Sequence, residues 1–297
     1  MKMKETNKFK FYAAVILGNV FWGISNMLTK IGISYADPEV LLTCRFLTAF
    51  IILTVMMIVQ KVRIDLRKKS FRSFLTMITA EPLQYLSESY GLAFSNAAFS
   101  GVVASLSPIA GTGLAAIFLK EFPSRRKVLF SLLPILGVII ITLDGNRIGY
   151  VQPLGVVLLF LAMLLSAVYR TANRGASQDY TPLERTWSVF LTCTATFIVV
   201  ALVRNHGDLS VYAEACRHPE FVASFVSLAL LSSVAAHMLV NYGYAYMSVL
   251  TISTFAMLQN VIAIFSGIVF LHEPLTGAIV IGTVLILSGI FIVNRTA

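Results

Sequence analysis

Charge is scarce in this chain. Asp, Glu, Lys and Arg make up 12% of its 297 residues, about half the fraction of an ordinary soluble domain, while 57% are hydrophobic. That balance excludes a water-soluble globular protein and predicts a polytopic membrane protein. Cysteine is scarce as well. Cys44, Cys193 and Cys216 form no CxxC and no even-numbered set, which excludes a disulfide framework. The first two fall in apolar segments and read as small filler; Cys216 falls in a loop and reads as a free thiol. No His or Cys pair stands at metal-ligand spacing, so no metal and no cofactor is expected. The lack of GxxxxGK[ST] argues against nucleotide hydrolysis. HExxH, a Ser/His/Asp set and an acidic metal pair near a face are also missing, and His206, His218 and His272 lie in loops far apart in sequence, so an enzyme is not expected. Nor is a cleavable signal, because the run after Lys2, Lys4, Lys8 and Lys10 is span-length and holds Trp22-Gly23 rather than a small-residue cleavage site.

What is present is a series of apolar runs. Ten can be drawn, at 11–33, 39–60, 73–94, 98–119, 127–144, 153–173, 184–203, 221–243, 248–271 and 275–294. Their connections are mostly short, which makes consecutive helices antiparallel neighbours. The net charge of +9 is concentrated in some of these connections, a pattern of membrane orientation rather than of nucleic-acid binding. Basic residues crowd the N-terminus, 61–72 and 120–127. The connections 34–38 and 95–97 hold none, 145–152 holds only Arg147, and 204–220 balances Arg204 and Arg217 with Asp208, Glu214 and Glu220. The bias predicts both termini in the cytoplasm and a multi-pass protein of the inner (plasma) membrane. Asp208 either caps a short helix over Leu209 to Cys216 or sits in a plain loop.

The third run carries acid. Glu81, Tyr85 and Glu88 fall at i, i+4 and i+7 and share one helix face. At about 1.5 Å per residue, Glu81 lies about 12 Å from the start of its span, near mid-bilayer. A carboxylate there costs several kcal/mol unless it faces a wet cavity, pairs, or is protonated. The pair predicts an internal polar cavity that binds a cation or carries a proton. Two alternatives stand beside this: Glu81 paired with a basic side chain, and Glu88 reaching the interface. Pro82 removes a backbone donor and can kink the helix toward the cavity.

The chain also repeats. At an offset of 152 residues, Tyr90-Gly91 meets Tyr242-Gly243, Leu106 meets Leu258, Phe118-Leu119 meets Phe270-Leu271, Glu121 meets Glu273 and Gly137 meets Gly289. Five helices per half make the second copy upside down, which is a transporter pattern. The halves are drawn at 1–150 and 151–297, and the expected class is all-α, with ten transmembrane helices as two inverted five-helix repeats.

Phe21-Trp22-Gly23, Arg45-Phe46, Tyr90-Gly91-Leu92-Ala93, Ser107-Pro108, Leu119-Lys120-Glu121, Tyr242-Gly243-Tyr244-Ala245 and Leu271-His272-Glu273-Pro274-Leu275 together resemble the EamA-type members of the drug/metabolite transporter superfamily. The likeness covers nearly the whole chain. It implies ten helices, cytoplasmic termini, a central cavity lined mainly by the first four helices of each half, and export of small metabolites. Asn260 departs from the pattern, standing where a proline matching Pro108 is usual. The Glu81-Pro82 pair is a second departure.

Further cavity candidates follow from the repeat. His237 is the mate of Tyr85, and Asn241 lies one turn beyond it. A ligand contact and a neutral histidine with one internal hydrogen bond are both open for His237. Gln259 and Asn260 cannot both face lipid. They line the cavity or bond between helices, with Asn260 the stronger cavity candidate. Trp22 and Asn26 are one turn apart, and Tyr169 falls where Asn26 maps at an offset of 143 residues; their faces either stack on a planar or cationic substrate or pack and anchor. Arg45 is the candidate partner for a third-helix glutamate. Arg170 and Arg185 read as orientation determinants, Trp187 as an interface anchor, and Glu121 and Glu273 as structural loop pairs. The fifth and tenth segments read as scaffold or dimer surface.

The sequence thus predicts a secondary transporter exporting an amino acid or organic cation by alternating access, with protons as candidate counter-ions. An uncoupled facilitator or importer of a similar solute is the rival, and a non-transporting membrane scaffold or a membrane enzyme the rival of another class. The expected partners are a small-molecule substrate and the lipid bilayer, in a monomer or homodimer, with no nucleic acid.

Overall fold

The computed structural model describes residues 5–94, 103–104, 106–144, 152–271 and 276–295. Every regular element among them is helical: α1 (Glu5–Ile33), α2 (Pro38–Val59), α3 (Phe71–Ala93), α4 (Ser107–Phe118), α5 (Arg125–Phe130), α6 (Leu132–Asp144), α7 (Pro153–Ala176), α8 (Pro182–Arg204), α9 (Ser210–Ala215), α10 (Pro219–Ser227), a π-helical stretch (Leu228–Ala236), α11 (His237–Tyr244), α12 (Val249–Ala256), α13 (Leu258–Leu271) and α14 (Gly277–Arg295).

Local sequence explains most starts. Pro38, Pro108, Pro153, Pro182 and Pro219 sit in first turns, where a missing N–H is harmless. Thr181 and Glu184 form a capping box: the Thr181 amide donates to Glu184 Oε2 at 2.7 Å, and the Glu184 amide to Thr181 Oγ1 at 3.3 Å. Of the two readings of 209–216, the short helix is found, and Asp208 Oδ1 accepts from the Ser210 amide at 2.8 Å.

Among the described residues, five helical stretches are long and apolar enough to cross a membrane: Lys10–Ile33, Pro38–Val59, Pro153–Ala176, Pro182–Arg204 and Pro219–Tyr244. The helix α3 is not among them, since Glu81, Gln84 and Glu88 dilute its apolar character. Three expected segments are broken rather than continuous. The fifth divides at Ser131, the ninth at Met257, and the eighth changes to π winding over Leu228–Ala236.

Between membrane helices, close packing rather than water exclusion provides cohesion. One seam joins α3 to α7, and another joins α6 to α14. The second rests on glycine. A Cβ on Gly282 would lie 2.6 Å from the Gly137 carbonyl oxygen, so the backbones touch. Gly282→Ala is expected to destabilise the chain by about 1–3 kcal/mol through overpacking, seen as a lower thermal midpoint in detergent. Gly277→Ala is the control, because a Cβ there meets nothing within 4 Å. A third contact region is aromatic: Phe46 of α2 packs on Tyr85, Phe190 and Phe197 with ring centroids at 5.2, 5.6 and 5.2 Å.

Candidate functional site

A cavity of about 320 Å³ lies among α1, α2, α3, α4, α7, the π stretch, α11, α12 and α13. Glu81, Tyr85 and Glu88 all stand in its wall, joined by Gln84, so the helical face read from sequence is the face that lines it. Among the described residues, α6 and α14 contribute none to the wall.

Glu81 is 4% exposed. Its Oε1 lies 3.6 Å from His237 Nε2, and its Oε2 has no hydrogen-bond partner. His237 Nδ1 is 2.9 Å from the Ser232 carbonyl oxygen. That oxygen can only accept, so Nδ1 carries a hydrogen, and Nε2 is the nitrogen that can exchange a proton in front of Glu81. The imidazole is fixed on two further sides, edge-on to Trp22 at 5.1 Å and to Phe190 at 4.9 Å. Trp22 Nε1 donates to the same Ser232 carbonyl at 3.1 Å. One backbone oxygen of the π stretch thus aligns both rings. π winding is rare and concentrates at functional sites.

Arg45 does not pair with a third-helix glutamate. Its Nε donates to Ser233 Oγ at 2.8 Å and its Nη2 to Ser232 Oγ at 2.9 Å, because the π stretch presents two hydroxyls within its reach. It still lines the cavity, as do Trp22, Tyr169, Gln259 and Asn260. The Asn260 amide also reaches Met257 Sδ at 3.9 Å. The side chain of Asn26 lies outside the described residues, as does Glu273.

Three residues stand elsewhere than expected. Arg170 is a wall residue, within 3.4 Å of Ser166 Oγ, not an interfacial determinant. Asn241 is absent from the wall. It accepts from Asn173 Nδ2 at 2.6 Å and donates to Thr186 Oγ1 at 2.8 Å, because α7 and α8 have closed on α11 at that depth. Arg185 is fully buried in the same cluster. It donates to the Tyr180 carbonyl at 3.2 Å, to the Asn173 carbonyl at 3.3 Å, to Asn173 Oδ1 and to the Asn241 carbonyl. The charge is balanced by carbonyls at the C-terminal end of α7, where helix dipoles present negative potential.

The closure continues outward through the basic-loop face. Arg174 Nε meets Glu121 Oε1 at 2.8 Å, and its Nη1 donates to the Tyr244 carbonyl at 2.7 Å. Glu121 Oε2 accepts from the Val249 amide at 3.3 Å. The acid caps the start of α12 and the base the end of α11, each matched to the local dipole. Lys68 meets Glu184 at 2.8 Å beside them. In the opposite direction the cavity extends past Glu88, Thr29, Ala104 and Leu159 toward the face bearing 34–37.

Sequence reasoning missed Arg170, Ser166, Ser232, Tyr244 and Arg174. The spacing of Ser166 and Arg170, four apart beside Tyr169, was the available signal for the first two.

A family description reading "EamA-like transporter family" matches residues 10–143 and again 153–295. An uncharacterized transporter of Bacillus subtilis (strain 168), YcxC, is 30% identical over 283 residues, covering 94% of this chain and 91% of its own. An uncharacterized transporter of Archaeoglobus fulgidus is 25% identical over 289 residues, covering 96% and 99%. A probable terminal-alkyne amino-acid exporter of Streptantibioticus cattleyicolor is 25% identical over 196 residues, covering 66% and 63%. A solved crystal structure superposes with a TM-score of 0.79 at 17% identity, covering 98% of this chain and 96% of the other.

Proposed function

Because the chain belongs to the EamA-like transporter family, a family of multi-pass membrane transporters and not of enzymes, we propose that it exports a small zwitterionic metabolite of the amino-acid type in exchange for protons. The observation that carries this is Glu81: a carboxylate 4% exposed, with one oxygen unpartnered, in a wall that also holds Arg45 and Arg170. An ammonium fits the free oxygen, and a carboxylate fits the guanidinium side. Two arginines in the same wall as Glu81 and Glu88 favour a zwitterion over an organic cation, which would meet like charge. The exporter from Streptantibioticus cattleyicolor is consistent with this class. Tyr85, Tyr169, Trp22 and Asn260 form the remaining walls of the binding site. Asn26 belongs to the same proposed face. Asn241 acts as a support, through Thr186 and Asn173.

In this reading the transporter spans the inner (plasma) membrane with ten helices, as inverted halves 1–150 and 151–297, and with both termini in the cytoplasm. The twofold family match and the basic loops support that arrangement. The cavity then faces outward, and Glu81 with His237 holds the exchanged proton when no ammonium is bound. Proteoliposome uptake of labelled amino acids and quaternary amines, with and without an imposed pH gradient, tests it. Gradient-stimulated amino-acid transport is expected. Transport indifferent to the gradient makes the protein an uncoupled facilitator, and preference for the quaternary amine overturns the zwitterion.

Alternating access requires the closed face to open. Arg174→Ala or Glu121→Gln is expected to shift the population toward that state by roughly three- to tenfold, the worth of an ion pair exposed enough to be screened by solvent. The readout is labelling from each membrane side of a cysteine placed at Ser166, after Cys44, Cys193 and Cys216 are replaced. The exchanged pair Glu121→Arg with Arg174→Glu should restore part of the closure.

A further inference from the structure

A second and larger concavity, about 780 Å³, lies on the surface of the helix bundle at the basic-loop end of the fold, between α2, the 61–66 connection, α3 and α8. Its body is apolar: Met57, Ile58, Phe74, Ile78 and Leu191 line it, with the ring of Trp187. The indole is already satisfied, since Nε1 donates to Thr54 Oγ1 at 2.9 Å, so the ring offers its apolar surface to an occupant. Lys61 and Arg63 stand at the mouth.

Chain geometry puts the two charges there. Lys61 has φ of 52°, a left-handed turn at the end of α2 that folds the next residues back, and the Val62 amide donates to the Met57 carbonyl at 3.0 Å. In the connection that follows, Val62 and Ile64 are half-buried against the core, while Lys61 and Arg63 are exposed and border the same groove. The Tyr180 hydroxyl pins this connection by donating to the Asp65 carbonyl at 3.0 Å. Among the described residues neither the Lys61 ammonium nor the Arg63 guanidinium has an ion pair or a hydrogen bond. The acid of this connection, Asp65, accepts from the Arg67 amide at 2.9 Å, and nearby Glu184 is engaged by Lys68 at 2.8 Å.

A long apolar slot at hydrocarbon depth, with two unpaired cations at headgroup depth, matches one molecule of the bilayer. We propose that this groove is a binding site for an anionic phospholipid, with an acyl chain along Met57, Ile58, Ile78 and Leu191 and the phosphate between Lys61 and Arg63. The site is separate from the transport cavity and does not depend on the transport reading.

The chain has two tryptophans, and Trp22 lies in the central cavity while Trp187 lies in the groove. In Trp22→Phe the emission is therefore that of Trp187. Reconstituted in phosphatidylcholine, it should be quenched by dibrominated phosphatidylglycerol at roughly one tenth the mole fraction needed with dibrominated phosphatidylcholine. Lys61→Gln with Arg63→Gln should make the two lipids equal. Equal quenching in the parent, or a preference untouched by the double substitution, overturns the site. Native mass spectrometry of the unaltered chain with both lipids is the second measurement, should Trp22→Phe not fold. Retention of phosphatidylglycerol over phosphatidylcholine supports the site, and retention of neither or of both equally overturns it.

Discussion

Glu81→Gln is expected to abolish gradient-driven transport and to weaken substrate binding by roughly 10- to 100-fold, the worth of about 1.5–3 kcal/mol for a hydrogen bond to a charged group. The substitution is nearly isosteric. It removes the negative charge while leaving an amide that His237 can still face. A merely structural Glu81 would respond differently: the amide would keep the packing, and uptake would follow the pH gradient as before. Residual transport by the variant, if any, should no longer depend on pH. His237→Gln should weaken the gradient dependence with less loss of binding, because it leaves the Glu81 carboxylate in place. Proteoliposome uptake at several pH values, with binding followed separately by thermal shift, distinguishes these outcomes. Full pH-dependent uptake by Glu81→Gln would remove the acid from the mechanism.

Arg185→Ala should be the most damaging single truncation for stability, by about 3–5 kcal/mol. The side chain is fully buried and ties the connection at Tyr180, the end of α7 and the middle of α11 together. Removing it strands several carbonyl oxygens in a region that water cannot reach. Arg185→Lys retains the charge but not the planar fork that spans these acceptors, so an intermediate loss is expected. Thermal unfolding in detergent, followed by tryptophan emission and by size-exclusion recovery, measures both. An alanine variant as stable as the parent would mean that the cluster is held by the Asn173, Asn241 and Thr186 amide and hydroxyl bonds alone.

How much of this could be read from the residues differs by element. The face formed by Glu81, Tyr85 and Glu88 was legible because helical spacing alone decides it. Helix starts were legible where proline and a capping residue coincide, as at Thr181-Pro182. Arg45 was misassigned because its true acceptors, Ser232 and Ser233, lie 187 and 188 residues away on a stretch whose winding no pattern announces. Asn241 was misassigned for another reason. Its position one turn past His237 is correct for the helix, but its side chain turns away from the cavity to Asn173 and Thr186, and that neighbourhood belongs to the packing of three helices rather than to any one. Arg185 read as a surface charge because an arginine near a helix end usually reaches water, and only the assembled carbonyls of two other helices explain why this one does not.

The winding over Leu228–Ala236 makes chain length, as well as residue identity, a constraint on this protein. A stretch held by wider turns contains more residues per revolution than the surrounding α-helix. Deleting one residue there would let it tighten to ordinary winding, because eight residues at about 100° each sweep nearly the angle that nine sweep in the wider turns. His237 would keep its bearing on Glu81, while Ser232 and Ser233 would be re-spaced and Arg45 would lose a hydroxyl acceptor. Relatives with a one-residue gap in this stretch should therefore keep the acid–imidazole pairing but not the paired hydroxyls that hold the arginine, and an alignment that puts the gap elsewhere in this helix will set the histidine out of register.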